Sequence, residues 1–173
     1  MTQHSADKHR PAATQPLQLL APVSGPSLKM AGILLPTLRV SLEGADVGRR
    51  STHGAKTEVR WHGDQLFAEE VVVTVLRETG WSAFWVDGWK GRYWPEVAWP
   101  DPNLLAWLAT VKAELRHDRG VWDVVAAKGD QVVAYELKGP GDRVRPEQVS
   151  WYAIARRHGL DPTVSAVLTW TPS

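Results

Sequence analysis

The stretch GVWDVVAAKGDQVVAYELKGP (residues 120–140) decides the fold, because it predicts two adjacent, paired β-strands. Runs rich in Val and Ala lie on both sides of Gly129-Asp130, a dipeptide that favours a tight hairpin turn. Side chains alternate between the two faces of a strand, so a turn at this dipeptide fixes which residues share a face.

With the turn there, Asp123 lies directly opposite Glu136, and Lys138 follows two residues later on the same face. Opposed side chains have Cβ atoms about 5 Å apart. Two carboxylates this close repel each other, so Lys138 or a divalent cation has to offset the repulsion. A ladder of ion pairs on a solvent-exposed sheet face is the alternative interpretation of these three residues.

The sequence around the hairpin predicts helices and strands in alternation. We expect a helix from an N-cap at Asp64 to a stop at Gly80, and a second helix over 101–118, capped by Asp101 with Pro102 in its first turn. In the second helix, one apolar stripe predicts packing against another element; it consists of Leu104, Leu108, Val111 and Leu115. The other expected elements are a strand in WSAFWVDGW, a helix in RPEQVSWYAIARRHG and a strand in TVSAVLTW. The order helix, strand, inserted helix, two strands, helix, strand predicts an α/β fold with a mixed sheet flanked by helices.

The first 60 residues predict a flexible or poorly structured segment, because they are rich in Pro, Ser, Gly and Thr without a steady periodicity. Within them, only TLRVSL (37–42) has the pattern of a short strand. We expect one globular domain over residues 61–173.

The first predicted helix contributes a third candidate carboxylate. On a helical wheel Glu69 falls within the apolar stripe that faces the sheet, whereas Glu70 falls on the polar face with Thr74 and Arg77. An inward-facing acid needs a partner, unless its side chain reaches out to water from a boundary position. Glu69 with the hairpin pair would form an all-oxygen site suited to Mg²⁺ or Mn²⁺.

Basic residues are concentrated just after the hairpin. The set is Lys138, Arg143, Arg145, Arg156 and Arg157. Arginine side chains match phosphate oxygens with paired hydrogen bonds, so an acidic metal site ringed by these residues suits a phosphodiester substrate. For Arg156 and Arg157, a solvated helix face is an equally good interpretation.

Composition excludes several other classes of site. The chain has no cysteine, which rules out disulfides, thiolate catalysis and cysteine-bound zinc, and its six histidines form no pair at metal-ligand spacing. The formal net charge of +1 does not by itself indicate a nucleic-acid partner. No apolar run is long enough to span a bilayer and no secretory signal is visible, so we expect no membrane association and an intracellular location, cytoplasmic or nucleoid-associated.

Ten tryptophans are an unusual number for 173 residues. Packing in the core and the hairpins is the expected role of most of them. Base stacking is an alternative for one or two in the stretch from Trp89 to Trp99.

The spacing of the charged residues resembles the D…(D/E)xK motif of the PD-(D/E)xK nuclease superfamily, with Asp123, twelve residues, then Glu136-Leu137-Lys138. The continuation ELKGPGDRVRPEQVSWY (136–152) is similar to the VRR-NUC branch of that superfamily. The predicted elements over about 64–170 also match the order of its restriction-endonuclease-like core: helix, three strands, helix, strand. Trp122 departs from the pattern, since the family usually has Pro before the aspartate.

The resemblance implies a role for each matching residue. Asp123, Glu136 and the main-chain carbonyl of Leu137 would bind Mg²⁺ or Mn²⁺, and Glu69 would complete the shell. Lys138 would orient the nucleophile and neutralise developing charge. Gln148 would hold Lys138 or a metal-bound water, with an exposed first-turn residue as the alternative, while Gly139, Gly141 and Asp142 would shape the turn.

The implied activity is metal-dependent endonucleolytic cleavage, expected on DNA and on branched or junction DNA in particular. A second copy would be needed to cut two strands symmetrically, which favours a homodimer. A nucleic-acid-binding or scaffolding module of the same fold without catalysis is the alternative. A metal-independent relative acting on RNA would need a histidine-centred site, and His158 alone does not supply one.

Overall fold

The computed structural model of the protein describes residues 16–44, 58–87, 92–94, 101–115 and 119–173. Several predicted features lie outside these ranges. They are residues 1–15 and 45–57 of the expected flexible segment, residues 89–91 and 95–99 of the stretch in which base stacking was an alternative, and the end of the second predicted helix at 116–118.

The described residues form strands and helices in an α/β arrangement. The helices are α1 (Ala68–Glu78), α2 (Pro102–Glu114) and α3 (Pro146–Arg157), preceded by a 3-10 turn at Gln18–Leu20. The strands are β1 (Val23–Ser24), β2 (Leu28–Met30), β3 (Ile33–Leu35), β4 (Thr37–Gly44), β5 (Glu58–Trp61), β6 (Asp64–Phe67), β7 (Ser82–Asp87), β8 (Arg92–Trp94), β9 (Val124–Lys128), β10 (Gln131–Lys138) and β11 (Ala166–Pro172). None of the helices in the described ranges is long and apolar enough to cross a lipid bilayer.

The predicted hairpin is confirmed with its register. β9 and β10 pair antiparallel from Lys128↔Gln131 at the turn to Val124↔Tyr135. Gly129 has a φ of +58°, a left-handed conformation that glycine adopts at little cost. The register that determines which charged residues share a face was therefore readable from the turn.

The main sheet is mixed, as predicted. Its strands follow the order β6-β5-β4-β11-β10-β9-β7-β8, and β1 pairs with β4 at one side. β10 runs parallel to β11, and β11 runs parallel to β4, whereas β9 lies antiparallel to both β7 and β10. The hairpin formed by β2 and β3 is a separate two-stranded sheet.

The two faces of the sheet bury different helices. On one face α1 packs in a cluster that contains Val133, Tyr135 and Leu137 of β10. On the other face α2 and α3 pack in a cluster that contains Ala134 of β10 and Val167 of β11. Odd-numbered residues of β10 therefore face α1, and even-numbered residues face α3.

The predicted start of the first helix is wrong. Asp64 does not cap a helix but opens strand β6, because His62 and Gly63 both have positive φ and turn the chain into a hairpin. The helix begins at Ala68, and its N-cap is Phe67, three residues after the predicted cap. Its predicted end is confirmed, since Gly80 follows the last turn with a φ of +82°.

The prediction of a flexible segment does not hold for residues 16–44. The expected strand in TLRVSL is confirmed as part of β4, which lies inside the main sheet between β11 and β5. Val40 and Leu42 of β4 are buried against the face of α1, and so is Leu17 ahead of it. The composition of this segment predicted flexibility, but Leu17, Val40 and Leu42 pack in the core and hold the segment to the sheet.

Helix α2 matches its predicted start and buried stripe. The Asp101 side chain accepts a hydrogen bond from the main-chain N–H of Asn103 at 2.8 Å, as expected of an N-cap. Leu104, Leu108 and Val111 are fully buried against the α3 side of the sheet, and Leu115, the fourth residue of the stripe, is partly buried in the same cluster. The inserted helix therefore thickens the layer that α3 forms.

Candidate active site

Glu136 is the centre of the candidate site. Its side chain is 1% exposed, and it lies on the face of β10 that α3 covers. The Oε1 atom accepts a hydrogen bond from the Gln148 side-chain amide at 2.5 Å and lies 2.7 Å from the ammonium nitrogen of Lys138. One carboxylate oxygen is thus held from two directions by one neutral and one charged donor.

The first turn of α3 orients Gln148 for this contact. Gln148 is the third residue of the helix, and its Oε1 accepts a hydrogen bond from the main-chain N–H of Arg145 at 2.9 Å. This hydrogen bond is half of a capping box, and it satisfies one of the main-chain N–H groups at the start of the helix. It leaves the amide nitrogen of Gln148 pointing toward Glu136. Gln148 is 2% exposed, so the alternative of an exposed first-turn residue is wrong.

Asp123 lies just beyond the last ladder pair of β9 and β10. Its Oδ2 accepts a hydrogen bond from the main-chain N–H of Leu137 at 2.8 Å, and its main-chain oxygen accepts one from Val86 at 2.7 Å. If the ladder continued beyond Val124↔Tyr135, Asp123 would lie opposite Glu136 and Trp122 opposite Leu137. The Asp123 carboxylate therefore ends the ladder and lies beside the strand that carries Glu136.

The electrostatics of the site are dominated by Glu136. Burial raises the pKa of this carboxyl group, and the nearby negative charge of Asp123 raises it further, while Lys138 acts in the opposite direction. Its second oxygen, Oε2, is buried and has no hydrogen-bond partner in the described part of the chain. Lys138 therefore does not fully offset the burial of the Glu136 carboxylate.

Asp123 and Glu136 fit a divalent metal ion as a pair of hard-oxygen ligands. A buried carboxylate oxygen without a donor, beside a second carboxylate, is a place where a cation would relieve both desolvation and repulsion. Across the described ranges, however, no group of three or more acidic or histidine side chains is arranged to hold a metal ion. The fit therefore rests on two side chains, not on the predicted three.

Glu69 is the predicted site residue that the fold does not bring to Glu136. It is buried, as the wheel predicted, but it belongs to α1, which packs on the opposite face of the sheet. Glu70 is buried too, against expectation, because its carboxylate accepts a hydrogen bond from the main-chain N–H of Phe67 at 2.7 Å. Position in the first turn, which a helical wheel ignores, decided the environment of Glu70.

The turn after Lys138 is built as predicted. The Asp142 side chain accepts a hydrogen bond from the main-chain N–H of Gly139, and the Asp142 N–H donates to the Gly139 carbonyl, both at 3.1 Å. Gly141 has a φ of +83°, which only glycine adopts without strain. This short closed turn leads the chain from the site to the start of α3.

The predicted arginines divide into two pairs. Arg143 and Arg145 are exposed in the segment between the glycine turn and α3, beside the site. Arg156 and Arg157 lie at the other end of α3, about 12 Å along the helix axis from Gln148. Arg157 forms an ion pair with Glu114 of α2, and Arg156 lies over the Tyr152 ring at 5.8 Å, so this pair has structural partners.

Trp122 and Gly120 position the site and were not recognised as doing so from the sequence. The Trp122 indole N–H donates to the main-chain oxygen of Gln148 at 3.0 Å, and the ring stacks on Tyr152 at 4.8 Å. Gly120 has a φ of +90°, and a Cβ there would meet the main chain of Glu147 at 2.4 Å. A glycine three residues before the aspartate was the one available signal of this close approach.

Packing is the role of the tryptophans whose side chains are buried, as expected of most of them. These are Trp81, Trp85, Trp122, Trp151 and Trp170. His158 makes a contact with Glu114 at 2.7 Å, at the end of α3 far from Glu136, so it does not belong to the candidate site.

Comparison with protein-family models, with curated proteins and with solved structures returns no match for this chain. The fold and the site therefore define a class only: an α/β protein with a mixed sheet and a buried glutamate, lysine and glutamine beside an aspartate.

Proposed function

We propose that this chain is a metal-dependent endonuclease that hydrolyses phosphodiester bonds, with DNA as its substrate and Mg²⁺ or Mn²⁺ as its metal. The observation that carries the proposal is the buried Glu136 carboxylate, bound by Lys138 and Gln148 beside the carboxylate of Asp123. A solvated ladder of ion pairs does not account for this arrangement, because Glu136 is 1% exposed.

Membership of the VRR-NUC branch of the PD-(D/E)xK superfamily is part of the proposal. It is supported by the motif and by the succession of α1, β7, β9, β10, α3 and β11, which follows the order of the restriction-endonuclease-like core. Helix α2 is then an insertion between the first two core strands. The segment before α1 adds β4 next to β11, beyond the core order.

A metal ion bound by Asp123, Glu136 and the main-chain carbonyl of Leu137 would supply a water of lowered pKa and polarise the scissile phosphate. The protein's own groups orient these ligands. Lys138 and Gln148 both bind Oε1 of Glu136, which leaves Oε2 available to a cation. Lys138 also supplies a fixed positive charge at the edge of the site, where negative charge develops on the phosphate.

The test is cleavage of labelled single-stranded, duplex, flap and four-way-junction DNA, with RNA of the same sequence, in Mg²⁺, Mn²⁺ or EDTA. Lys138→Ala should reduce the rate by about 10²-fold or more, the usual effect of removing a group that stabilises transition-state charge. Lys29→Ala is the matched control, because Lys29 is an exposed lysine on the β2–β3 hairpin. Cleavage that persists in EDTA or in Lys138→Ala would contradict the proposal.

A nucleic-acid-binding module without catalysis is the second candidate. It is favoured by the arrangement of only two carboxylates at the site in the described part of the chain, where the motif implied three. Tight DNA binding by the folded protein, with no cleavage in either metal, would support this candidate over the endonuclease.

A homodimer completes the endonuclease proposal. One site cuts one strand, so symmetric cleavage of a junction requires two copies related by a twofold axis. Light scattering of the purified protein with and without junction DNA measures the assembly state directly.

A further inference from the structure

A row of polar side chains continues from Lys138 across the neighbouring parallel strands. The register pairs Lys138 of β10 with Thr169 of β11, and Thr169 with Arg39 of β4. Paired residues of neighbouring strands point to the same face of a sheet. Their neighbours Leu137, Leu168 and Val40 all lie in the cluster around α1, so the row faces the opposite side, the side of the candidate site.

The helices of the described ranges do not cover this part of the sheet face. Helix α3 begins beside Glu136 and runs back along β10, so that Leu160, just after the helix, forms a bridge with Val132. The carboxyl ends of β10, β11 and β4 therefore extend beyond the helix start. Arg39 is exposed and Thr169 half-buried, and the next residues of the same face, Ser41 and Thr171, are exposed as well.

Arg39 places a positive charge on this face that no described acidic residue neutralises. Arg39 has no ion-pair partner among the described residues, whereas the charge of Lys138 is matched by Glu136. Glu43, an acid further along β4, is paired with Arg60 at 3.4 Å. An unpaired guanidinium beside hydroxyl groups, on the sheet face that also carries Glu136 and Lys138, matches a chain of phosphates.

We propose that Lys138, Thr169 and Arg39 form a track that binds the phosphodiester backbone of the DNA strand on one side of the scissile phosphate. This inference rests on the proposed endonuclease function and names the surface that holds its substrate. Neighbouring strands are about 4.8 Å apart, so the main chains of Lys138 and Arg39 are about 10 Å apart. Successive phosphates of one duplex strand are about 3.4 Å apart along the axis and about twice as far apart in space because the strand winds, so the track reaches about two phosphates.

The first experiment measures DNA binding without cleavage. Fluorescence anisotropy in EDTA gives the Kd of the full chain for single-stranded DNA, duplex DNA and RNA of the same sequence between about 50 and 200 mM salt. Arg39→Gln should weaken DNA binding severalfold and lower the slope of log K against log salt by about 0.7–0.9, the effect of one lost phosphate contact. Arg39→Lys should keep most of the slope.

Lys29→Gln is the matched control, since it removes one exposed positive charge from the hairpin outside the row. It should leave the slope unchanged. If Lys29→Gln weakens binding as much as Arg39→Gln does, the effect is general electrostatics and the track is refuted.

The second experiment measures cleavage in Mg²⁺. Arg39→Gln should raise KM and leave kcat nearly unchanged, because a contact far from the reacting atoms binds substrate and transition state equally. Substrates shortened to one nucleotide on the 5′ or the 3′ side of the cut are compared separately. A substrate shortened on the side that contacts the track should have the same KM with Arg39→Gln as with the wild type, because it lacks the phosphates that Arg39 would bind.

The outcomes separate the two proposals. If the wild type cleaves DNA and Arg39→Gln has the same salt slope of binding and the same KM, the track is overturned and the endonuclease proposal stands. A loss confined to RNA overturns the assignment of the track to DNA. A folded wild-type protein that neither binds nor cleaves any of these substrates overturns the endonuclease, and the track with it.

Discussion

Gly120→Ala should destabilise the protein and displace Gln148 of the candidate site. Gly120 has a φ of +90°, and a Cβ there would lie 2.4 Å from the carbonyl carbon and oxygen of Glu147. Optimal separation of carbon atoms is about 3.5–4.0 Å, so the two segments must move apart by about 1 Å. Glu147 precedes Gln148, so this movement acts on the 2.5 Å contact between Gln148 and Glu136.

The expected cost has two parts. A non-glycine residue with positive φ costs about 1–2 kcal/mol. Overpacking a site that has no room typically costs about 1–3 kcal/mol more. The free energy of unfolding should therefore fall by about 2–5 kcal/mol in Gly120→Ala.

Gly63→Ala separates these two parts. Gly63 has a φ of +91°, almost the same as Gly120, but apart from its chain neighbours no atom of the described residues lies within 4 Å of the position its Cβ would take. It should lose only the conformational part, about 1–2 kcal/mol. Urea unfolding followed by tryptophan fluorescence gives both values, and cleavage assays below the unfolding transition give the effect on the site.

Equal destabilisation of the two variants would refute the close approach of Gly120 to α3. Full cleavage activity in a folded Gly120→Ala protein would refute the further claim that this approach holds Gln148 against Glu136.

Two other variants test the electrostatics and the packing of the site. Burial and the charge of Asp123 raise the pKa of Glu136, so the folded protein binds a proton at this carboxyl more tightly than the unfolded chain does. At a pH below the ordinary glutamate pKa of about 4.3, this proton binding stabilises the metal-free fold. The stabilisation is lost as the pH rises through the folded-state pKa. In EDTA the wild type should therefore lose stability relative to Glu136→Gln as the pH rises from about 4 toward neutrality, and the opposite trend in urea unfolding would contradict the raised pKa. Trp122→Phe keeps a ring on Tyr152 but loses the hydrogen bond to the Gln148 carbonyl, so it should cost about 1–2 kcal/mol of unfolding free energy. An unchanged thermal midpoint would show that this bond does not hold the two segments together.

Features that depend on neighbouring residues were predictable from the sequence. The turn at Gly129 fixed the register of β9 and β10, and so the faces of Glu136 and Lys138. Asp101 with Pro102 marked the start of α2, and the spacing of Leu104, Leu108 and Val111 marked its buried face. Local turn chemistry and side-chain periodicity act over a few residues, which is why a linear pattern reveals them.

Features that depend on which distant segments meet were decided by the tertiary structure. Glu69 looked like a ligand because it points into the core, but only the packing of α1 shows which face of the sheet it joins. Arg39 could not be placed beside the site, because its strand belongs to a segment whose composition predicts flexibility. Gln148 could be linked to the site only through the family motif, while its contact with Glu136 depends on the first turn of α3 and on Gly120 and Trp122 behind it. The sequence alone determined the hairpin and the residues that line one face of it. The order of the parallel strands and the helix on each face came from long-range packing, which no local pattern encodes.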